Sequence, residues 1–312
     1  AKQLCNQGAD FIISLQDDTD RNNAAKICEQ MGVYFAIGGS CQNEIDYEEE
    51  TLESKYSTIW CDYVLFEITT RENWRIELES KIKKILGMKK DDELDIDEYY
   101  LPKGEYLTGN YKNEYIILHH TAGGANPRSV VDCWGKDLLG KVATEFIIGG
   151  QNCNTGNTKY DGQIVRSFPE GCQAYHIGSS GSSYMNTHSV GIEICNFGYV
   201  NKGKTYVGTT VNKEQIVSLS APYKGYLDWH KYSDEQINAL RDLLLYISNR
   251  DNIDLHEGLY KWIKAEGAIK AFDFHKDAYQ GKVKGLLTHT NIRKDKFDCS
   301  PQPNLVDMIM SL

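Results

Sequence analysis

Short apolar runs of strand length constrain the second half of this chain most strongly. They cover residues 115–118, 142–148, 190–194 and 286–289, and runs of this length, bounded by polar or glycine residues, are typical of buried β-strands. Residues 233–236 read Ser-Asp-Glu-Gln, which is the pattern of a helix-capping box. Apolar residues follow at helical spacing after it. Strands and helices together predict an α/β domain in this part of the chain.

The first part of the chain reads as a separate, smaller α/β region. Apolar runs at 9–15 and 33–37 flank a helical pattern that begins at Asp20, and strand–helix–strand order suggests a parallel pair. A second helix is predicted over 71–86. The polar stretch 89–98, with six acids from Asp91 onward, follows it and predicts a solvated linker. We therefore divide the chain into regions 1–105 and 106–312.

Composition excludes several classes of protein. The 312 residues carry 34 basic and 44 acidic side chains, for a net charge of −10, and such a chain would repel a polyanion, so we expect no nucleic-acid partner. It has no run of about 18 apolar residues, so we expect no membrane span. No signal stretch follows Ala1, so we expect any targeting segment to be absent or removed. The nine cysteines include no CxxC pair, which argues against a zinc ribbon or thioredoxin motif.

Three polar features that follow predicted strands or close the chain carry the candidate chemistry. His119 directly follows the run 115–118, His289 follows 286–288, and the tail 296–301 contains Asp298 and Cys299. Two imidazoles and one carboxylate or thiolate form the ligand set of a catalytic zinc with an open fourth position. Such an ion lowers the pKa of bound water from about 16 to about 7. The residues thus predict a zinc hydrolase site.

An ordered series of motifs resembles the type 2 N-acetylmuramoyl-L-alanine amidases, a superfamily that includes phage lysozyme-type amidases and peptidoglycan recognition proteins. The similarity begins in the first histidine motif and continues to Asp298. The matching segments are 116–123, 142–148, 161–165, 174–178, 186–196, 232–236 and 289–298. Residues 1–105 and about 200–230 lie outside the resemblance. It implies an α/β fold with a mixed central sheet flanked by helices.

The resemblance also implies the metal ligands. His119 and His289 occupy the two histidine positions, and the third ligand in the family is an Asp or Cys two residues after a Lys. Asp298 follows Lys296 at that spacing, whereas Cys299 lies one residue too far. We therefore predict Asp298 as the third zinc ligand and keep Cys299 as the alternative.

The remaining site residues come from the same comparison. Glu193 stands at the position of the catalytic glutamate and is the predicted general base, with Glu145 as the alternative. Lys296 resembles the cation that stabilises the oxyanion. His176 resembles a substrate-contacting histidine, and Thr144 stands where other members place an assisting Tyr, so we assign both to substrate binding. Strand periodicity places Thr144 and Glu145 on opposite faces.

The expected activity is zinc-dependent hydrolysis of the amide between N-acetylmuramic acid and L-alanine in peptidoglycan. The resemblance suggests a phage or prophage lytic enzyme, made in the bacterial cytoplasm, that acts at the cell wall or within a phage particle. Region 1–105 would then bind the wall or position the enzyme. The alternative is a recognition protein of the same fold that binds peptidoglycan without cleaving it, and loss of a zinc ligand would mark that state.

Overall fold

The chain divides into two units, Ala1–Glu93 and Leu94–Leu312. The computed structural model describes residues 94–137, 140–178 and 183–312, and the backbone of three short strands in the first unit. Those strands are β1 (Phe11–Ile12), β2 (Phe35–Ala36) and β3 (Glu67–Ile68). β1 pairs with β2 in parallel, as the sequence predicted, and with β3 in antiparallel orientation. The helices predicted near 20–31 and over 71–86 lie outside the described residues.

A six-stranded mixed sheet forms the centre of the second unit. Its strands are β4 (Ile96–Glu98), β5 (Tyr115–His120), β6 (Phe146–Ile148), β7 (Ile164–Arg166), β8 (Ser189–Ile194) and β12 (Gly285–Thr288). Their order is β12-β5-β8-β6-β7-β4, and only the β6–β7 pair is antiparallel. This arrangement confirms the mixed central sheet.

Helices cover both faces of this sheet. The described helices are α1 (Pro127–Trp134), α2 (Ser183–Thr187), α3 (Asp234–Asp251), α4 (Leu259–Glu266), α5 (Ala268–Ala271), α6 (Lys276–Tyr279), α7 (His289–Ile292) and α8 (Pro303–Met310). None of them is long and apolar enough to cross a bilayer. A second sheet, in the order β10-β11-β9, lies in the segment without resemblance to the family. Its strands are β9 (Tyr199–Val200), β10 (Ile216–Tyr223) and β11 (Tyr226–His230).

The predicted linker extends too far into the chain. Residues 96–98 form β4, which pairs with β7, so the first residues after Glu93 already belong to the second unit. Leu94 and Ile96 pack against the core, while Asp97 binds Arg128 at 2.6 Å. The linker prediction is wrong for residues 96–98. The acids there alternate with apolar residues that pack against the core, which is the pattern of an edge strand.

The longest helix, α3, begins as the sequence predicted. The Ser233 hydroxyl accepts a hydrogen bond from Gln236 N, and the Gln236 side chain accepts one from Ser233 N, which forms the reciprocal capping box. The core-facing residues of α3 are buried against one face of the sheet, and these are Ile237, Leu240, Leu244 and Ile247. On that face they meet Ile116, Leu118, Val190 and Ile192, which alternate along β5 and β8.

Alternation along β5 and β8 sends the other side chains to the opposite face. Tyr115 and Ile117 lie there with Met185, Leu287 and Ile292. By the same period, His119 and Glu193 belong to this second face, and the two residues are register partners. His120 belongs to the face that α3 covers, where its ring approaches Trp229. The fold therefore separates two adjacent histidines by the direction of their side chains.

A buried ion pair holds the end of α3 against the sheet, and its removal tests the fold. Arg250 Nη1 lies 2.6 Å from Glu145 Oε1, with the two side chains 11% and 4% exposed. We expect Arg250→Met to reduce the free energy of unfolding by about 3–5 kcal/mol, because it leaves the Glu145 carboxylate buried and short of a partner. Urea denaturation would measure the loss.

The control for this prediction lies on the same helix. Arg241 pairs with Asp242 at 3.5 Å, but the two side chains are 49% and 56% exposed. We expect Arg241→Met to change the free energy of unfolding by less than about 1 kcal/mol, because solvent screens an exposed pair. Equal losses of unfolding free energy in the two variants would contradict the prediction that the buried pair stabilises the fold more than the exposed pair.

Candidate metal centre

Three side chains from two distant parts of the chain meet near the carboxyl ends of two neighbouring strands. β12 pairs with β5 in parallel with Thr288 opposite Leu118, so His289 and His119 follow at the same level. Thr290 N donates a hydrogen bond to Asp298 O at 3.1 Å, which ties the tail to the start of α7. The sheet and this backbone contact therefore bring His119, His289 and Asp298 together.

The donor atoms of these residues converge on one point. Nδ1 of His119 lies 3.0 Å from Nδ1 of His289, and Oδ2 of Asp298 lies 3.3 Å and 2.9 Å from these two nitrogens. Tetrahedral ligands at about 2.0–2.1 Å from a zinc ion lie about 3.3 Å from one another. The three atoms would need to separate only slightly to hold the ion, so the donor set fits zinc.

The environment keeps His119 and Asp298 in the forms that bind metal. Burial, helped by the nearby His289, lowers the pKa of His119 to about 4, so its imidazole is neutral at physiological pH. Burial alone would favour a protonated Asp298, but His289 and His119 outweigh it and hold the pKa of Asp298 well below its usual range. A neutral imidazole and an ionised carboxylate are the ligand forms that zinc requires.

Glu193 lies beside the donor cluster, and the charge of Lys296 acts on both. Glu193 is the register partner of His119, and its Oε2 is buried without a hydrogen-bond partner among the described residues. Burial and the charge of Asp298 raise the pKa of Glu193 well above its usual range, while the charge of Lys296 opposes this rise. The Lys296 charge also acts on His119. A basic carboxylate and a cation therefore accompany the three donors.

The two residues assigned to substrate binding are enclosed by protein. His176 Nδ1 lies 2.9 Å from His119 Nε2, and His176 Nε2 lies 2.8 Å from the Ser189 hydroxyl. Thr144 is 1% exposed and donates its hydroxyl hydrogen to Phe146 O at 2.9 Å. Both side chains are thus buried and hydrogen-bonded within the protein, and their assignment to substrate binding stays a prediction.

The alternative residues lie away from the cluster. Glu145 turns to the α3 side, where Arg250 and Arg166 neutralise it, so the structure does not bring this predicted alternative base to the metal centre. Cys299 is fully buried in the core beside Tyr232, and burial raises the pKa of its thiol well above its usual range. A protonated core thiol is a poor zinc ligand, and the geometry favours Asp298.

Sequence reasoning missed the contribution of Ser189 and Gly191. Both share the face of β8 that carries Glu193, and strand alternation from Glu193 could have found them. A Cβ at Gly191 would lie 3.0 Å from two atoms of the His176 ring and 2.7 Å from Thr144 Cγ2. The glycine thus leaves the space that the His176 ring occupies.

A cavity of about 610 Å³ is lined in part by Thr121, which follows His119 by two residues in the sequence. Its lining includes Asn126 and Val130 of the α1 region and Asn152 and Tyr160 from the loop between β6 and β7. None of the three donor residues lines it. Its walls are partly polar and partly apolar.

The chain is a mixed α/β protein in which two histidines and an aspartate form a cluster that could hold a metal ion. The chain belongs to the N-acetylmuramoyl-L-alanine amidase family, whose sequence profile matches residues 109–284, more than half of its length. His289 and Asp298 lie just beyond that match. No curated protein matches this chain.

Several solved structures resemble this chain at low sequence identity. The amidase LysC from Clostridium intestinale URNW is 17% identical, covers 70% of this chain and 95% of its own, and has a TM-score of 0.38. PlyL is 13% identical, with coverages of 65% and 86% and a TM-score of 0.37. AmiD from E. coli, solved with a muramyl peptide substrate, is 18% identical, with coverages of 46% and 46% and a TM-score of 0.30.

Proposed function

We propose that this protein hydrolyses the amide bond between N-acetylmuramic acid and L-alanine in peptidoglycan and that it requires zinc. Membership of the amidase family supports the reaction and the substrate. The observation that carries the zinc requirement is the convergence of His119 Nδ1, His289 Nδ1 and Asp298 Oδ2 within 3.3 Å of one another. These three atoms would hold the metal.

Zinc in this position supplies Lewis-acid polarisation of a carbonyl oxygen and lowers the pKa of water. The chain supplies the proton transfers. Glu193 has an unpaired buried oxygen and a raised pKa, so it is a strong enough base to accept a proton from the attacking water. The same carboxyl then delivers that proton to the departing amide nitrogen, which leaves as the amino group of L-alanine.

Lys296 is partly buried, and its positive charge acts on both His119 and Glu193. This charge supports a role for Lys296 in stabilising the negative charge that would develop on the carbonyl oxygen. A preplaced cation stabilises that charge without reorganisation during the reaction. We assign Lys296 to this role.

The complete donor set argues against the binding-only alternative. A recognition protein that had lost catalysis would be expected to lack a metal ligand, and all three predicted ligands are present and adjacent. The phage role and the wall-binding role of region 1–105 stay predictions from the sequence, because family membership alone does not separate a lytic amidase from one that remodels or recycles the wall.

Digestion of purified peptidoglycan tests the proposal. We expect the protein to bind about one zinc ion per chain and to release new amino-terminal L-alanine, detected by amino-group labelling and mass spectrometry of the products. A chelator should abolish the release, and added zinc should restore it. A protein with one zinc per chain that binds the wall without new amino-terminal L-alanine would refute the amidase activity and favour the recognition alternative.

A further inference from the structure

His176 and Ser189 lie on the Nε2 side of the His119 ring, away from the donor cluster. His119 Nε2 lies 2.9 Å from His176 Nδ1, His176 Nε2 lies 2.8 Å from Ser189 Oγ, and Ser189 Oγ lies 2.5 Å from Met185 O. We propose that His176 and Ser189 are positioning residues that fix which nitrogen of His119 carries its proton. The inference rests on the proposed zinc site.

The backbone carbonyl at the end of this series sets its direction. Met185 O can only accept, so the Ser189 hydroxyl donates to it and has only a lone pair left for His176. His176 must then carry its proton on Nε2 to donate to Ser189, and its Nδ1 accepts. His119 consequently donates from Nε2, which leaves the lone pair of its Nδ1 for the metal.

The opposite direction would prevent metal binding through this nitrogen. If Ser189 donated to His176 Nε2, His176 would carry its proton on Nδ1, and His119 would keep its own proton on Nδ1. That nitrogen lies among the donors and could not bind a cation. The carbonyl of Met185 therefore selects the productive tautomer across three hydrogen bonds.

Burial makes the series rigid. Ser189 is fully buried, and His119 and His176 are 2% and 9% exposed. Water is therefore poorly placed to replace a lost partner, and the buried group would stay unsatisfied. Gly191 completes the arrangement, because its missing side chain lets the His176 ring lie against β8.

A pair of serine substitutions tests the proposal with a matched control. Ser189 and Ser167 are both fully buried, and each donates to a backbone carbonyl at 2.5 Å, Ser167 to Thr144 O. Only Ser189 also contacts a histidine. We expect Ser189→Ala to raise the Kd for zinc by about 10–100-fold, the usual effect of losing an outer-shell partner. Ser167→Ala should leave the Kd within about twofold of the parent.

The measurement uses the full chain and needs no turnover. Zinc-free protein is titrated with zinc against a chromogenic chelator, after circular dichroism has shown that each variant is folded. Because the readout is affinity, it separates this inference from the proposed amidase activity, which could fail while the affinity pattern holds. Equal zinc affinity in the Ser189→Ala and Ser167→Ala variants would overturn the proposal.

Substitutions of His176 provide a second test that does not depend on Ser189. His176→Ala should weaken zinc binding, whereas His176→Asn should restore most of it, because the Asn amide oxygen can accept from His119 Nε2 in place of Nδ1. Nitrogen-15 NMR of zinc-free protein should show the His119 proton on Nε2, with its signals assigned by their loss in His119→Gln. A proton on Nδ1 of His119, or full zinc affinity in His176→Ala, would refute the relay.

Discussion

Glu193→Gln is expected to lower kcat by about 10²–10⁴-fold, the usual contribution of a positioned acid–base group. The amide of Gln fills the same space but cannot accept the proton of the attacking water or return it to the leaving nitrogen. Glu193 is not one of the three converging donors, so the zinc content should stay at that of the parent. Release of amino-terminal L-alanine and metal analysis of the same sample measure both quantities.

Glu145→Gln is the control for this substitution. Glu145 was the alternative base, but its carboxylate lies 2.6 Å from Arg250 on the α3 side of the sheet. We expect Glu145→Gln to keep kcat within about twofold of the parent when measured on folded protein, because it removes no group that transfers a proton at the site. Its free energy of unfolding should fall, because the buried Arg250 loses a charged partner. The reverse pattern, with activity lost only in Glu145→Gln, would identify Glu145 as the general base in place of Glu193.

Strand periodicity made much of this site predictable. The run 115–118 correctly predicted β5, and alternation through 190–194 correctly separated the core-facing residues Val190 and Ile192 from Glu193. The capping box at Ser233 correctly predicted the start of α3. These features depend on residues that are close together in the chain, so they can be predicted from the sequence alone.

Other features depend on contacts between distant residues. Nothing near Glu145 indicates that Arg250, 105 residues later, neutralises it. Nothing near His176 in the sequence indicates that its ring packs against Gly191 and directs its nitrogens toward His119 and Ser189. The acids around residues 96–98 predict a linker in place of β4, because an edge strand next to acids lacks a strong apolar run. In each case a partner from another element decides the role of the residue.

Asp298→Ala is expected to have the second large effect, loss of the metal. Removal of a direct ligand should weaken zinc binding by more than the roughly 10–100-fold seen for outer-shell partners, and amide hydrolysis should fall with the loss of bound zinc. Asp298 Oδ2 lies 2.9 Å from His289 Nδ1 and 3.3 Å from His119 Nδ1, so without it the two imidazoles would face each other with no carboxylate between them. Metal analysis after dialysis measures the outcome.

Two neighbouring substitutions make this result specific. Asp295→Ala removes the same charge from an exposed position that pairs with Arg293, and it should leave zinc content unchanged. Cys299→Ala should also keep zinc, because its thiol lies in the core and burial raises its pKa well above its usual range, which disfavours the thiolate that zinc binds. If Cys299→Ala loses zinc and Asp298→Ala retains it, the third ligand is the thiol. In that case the backbone around residues 298 and 299 must turn the opposite way when metal is bound.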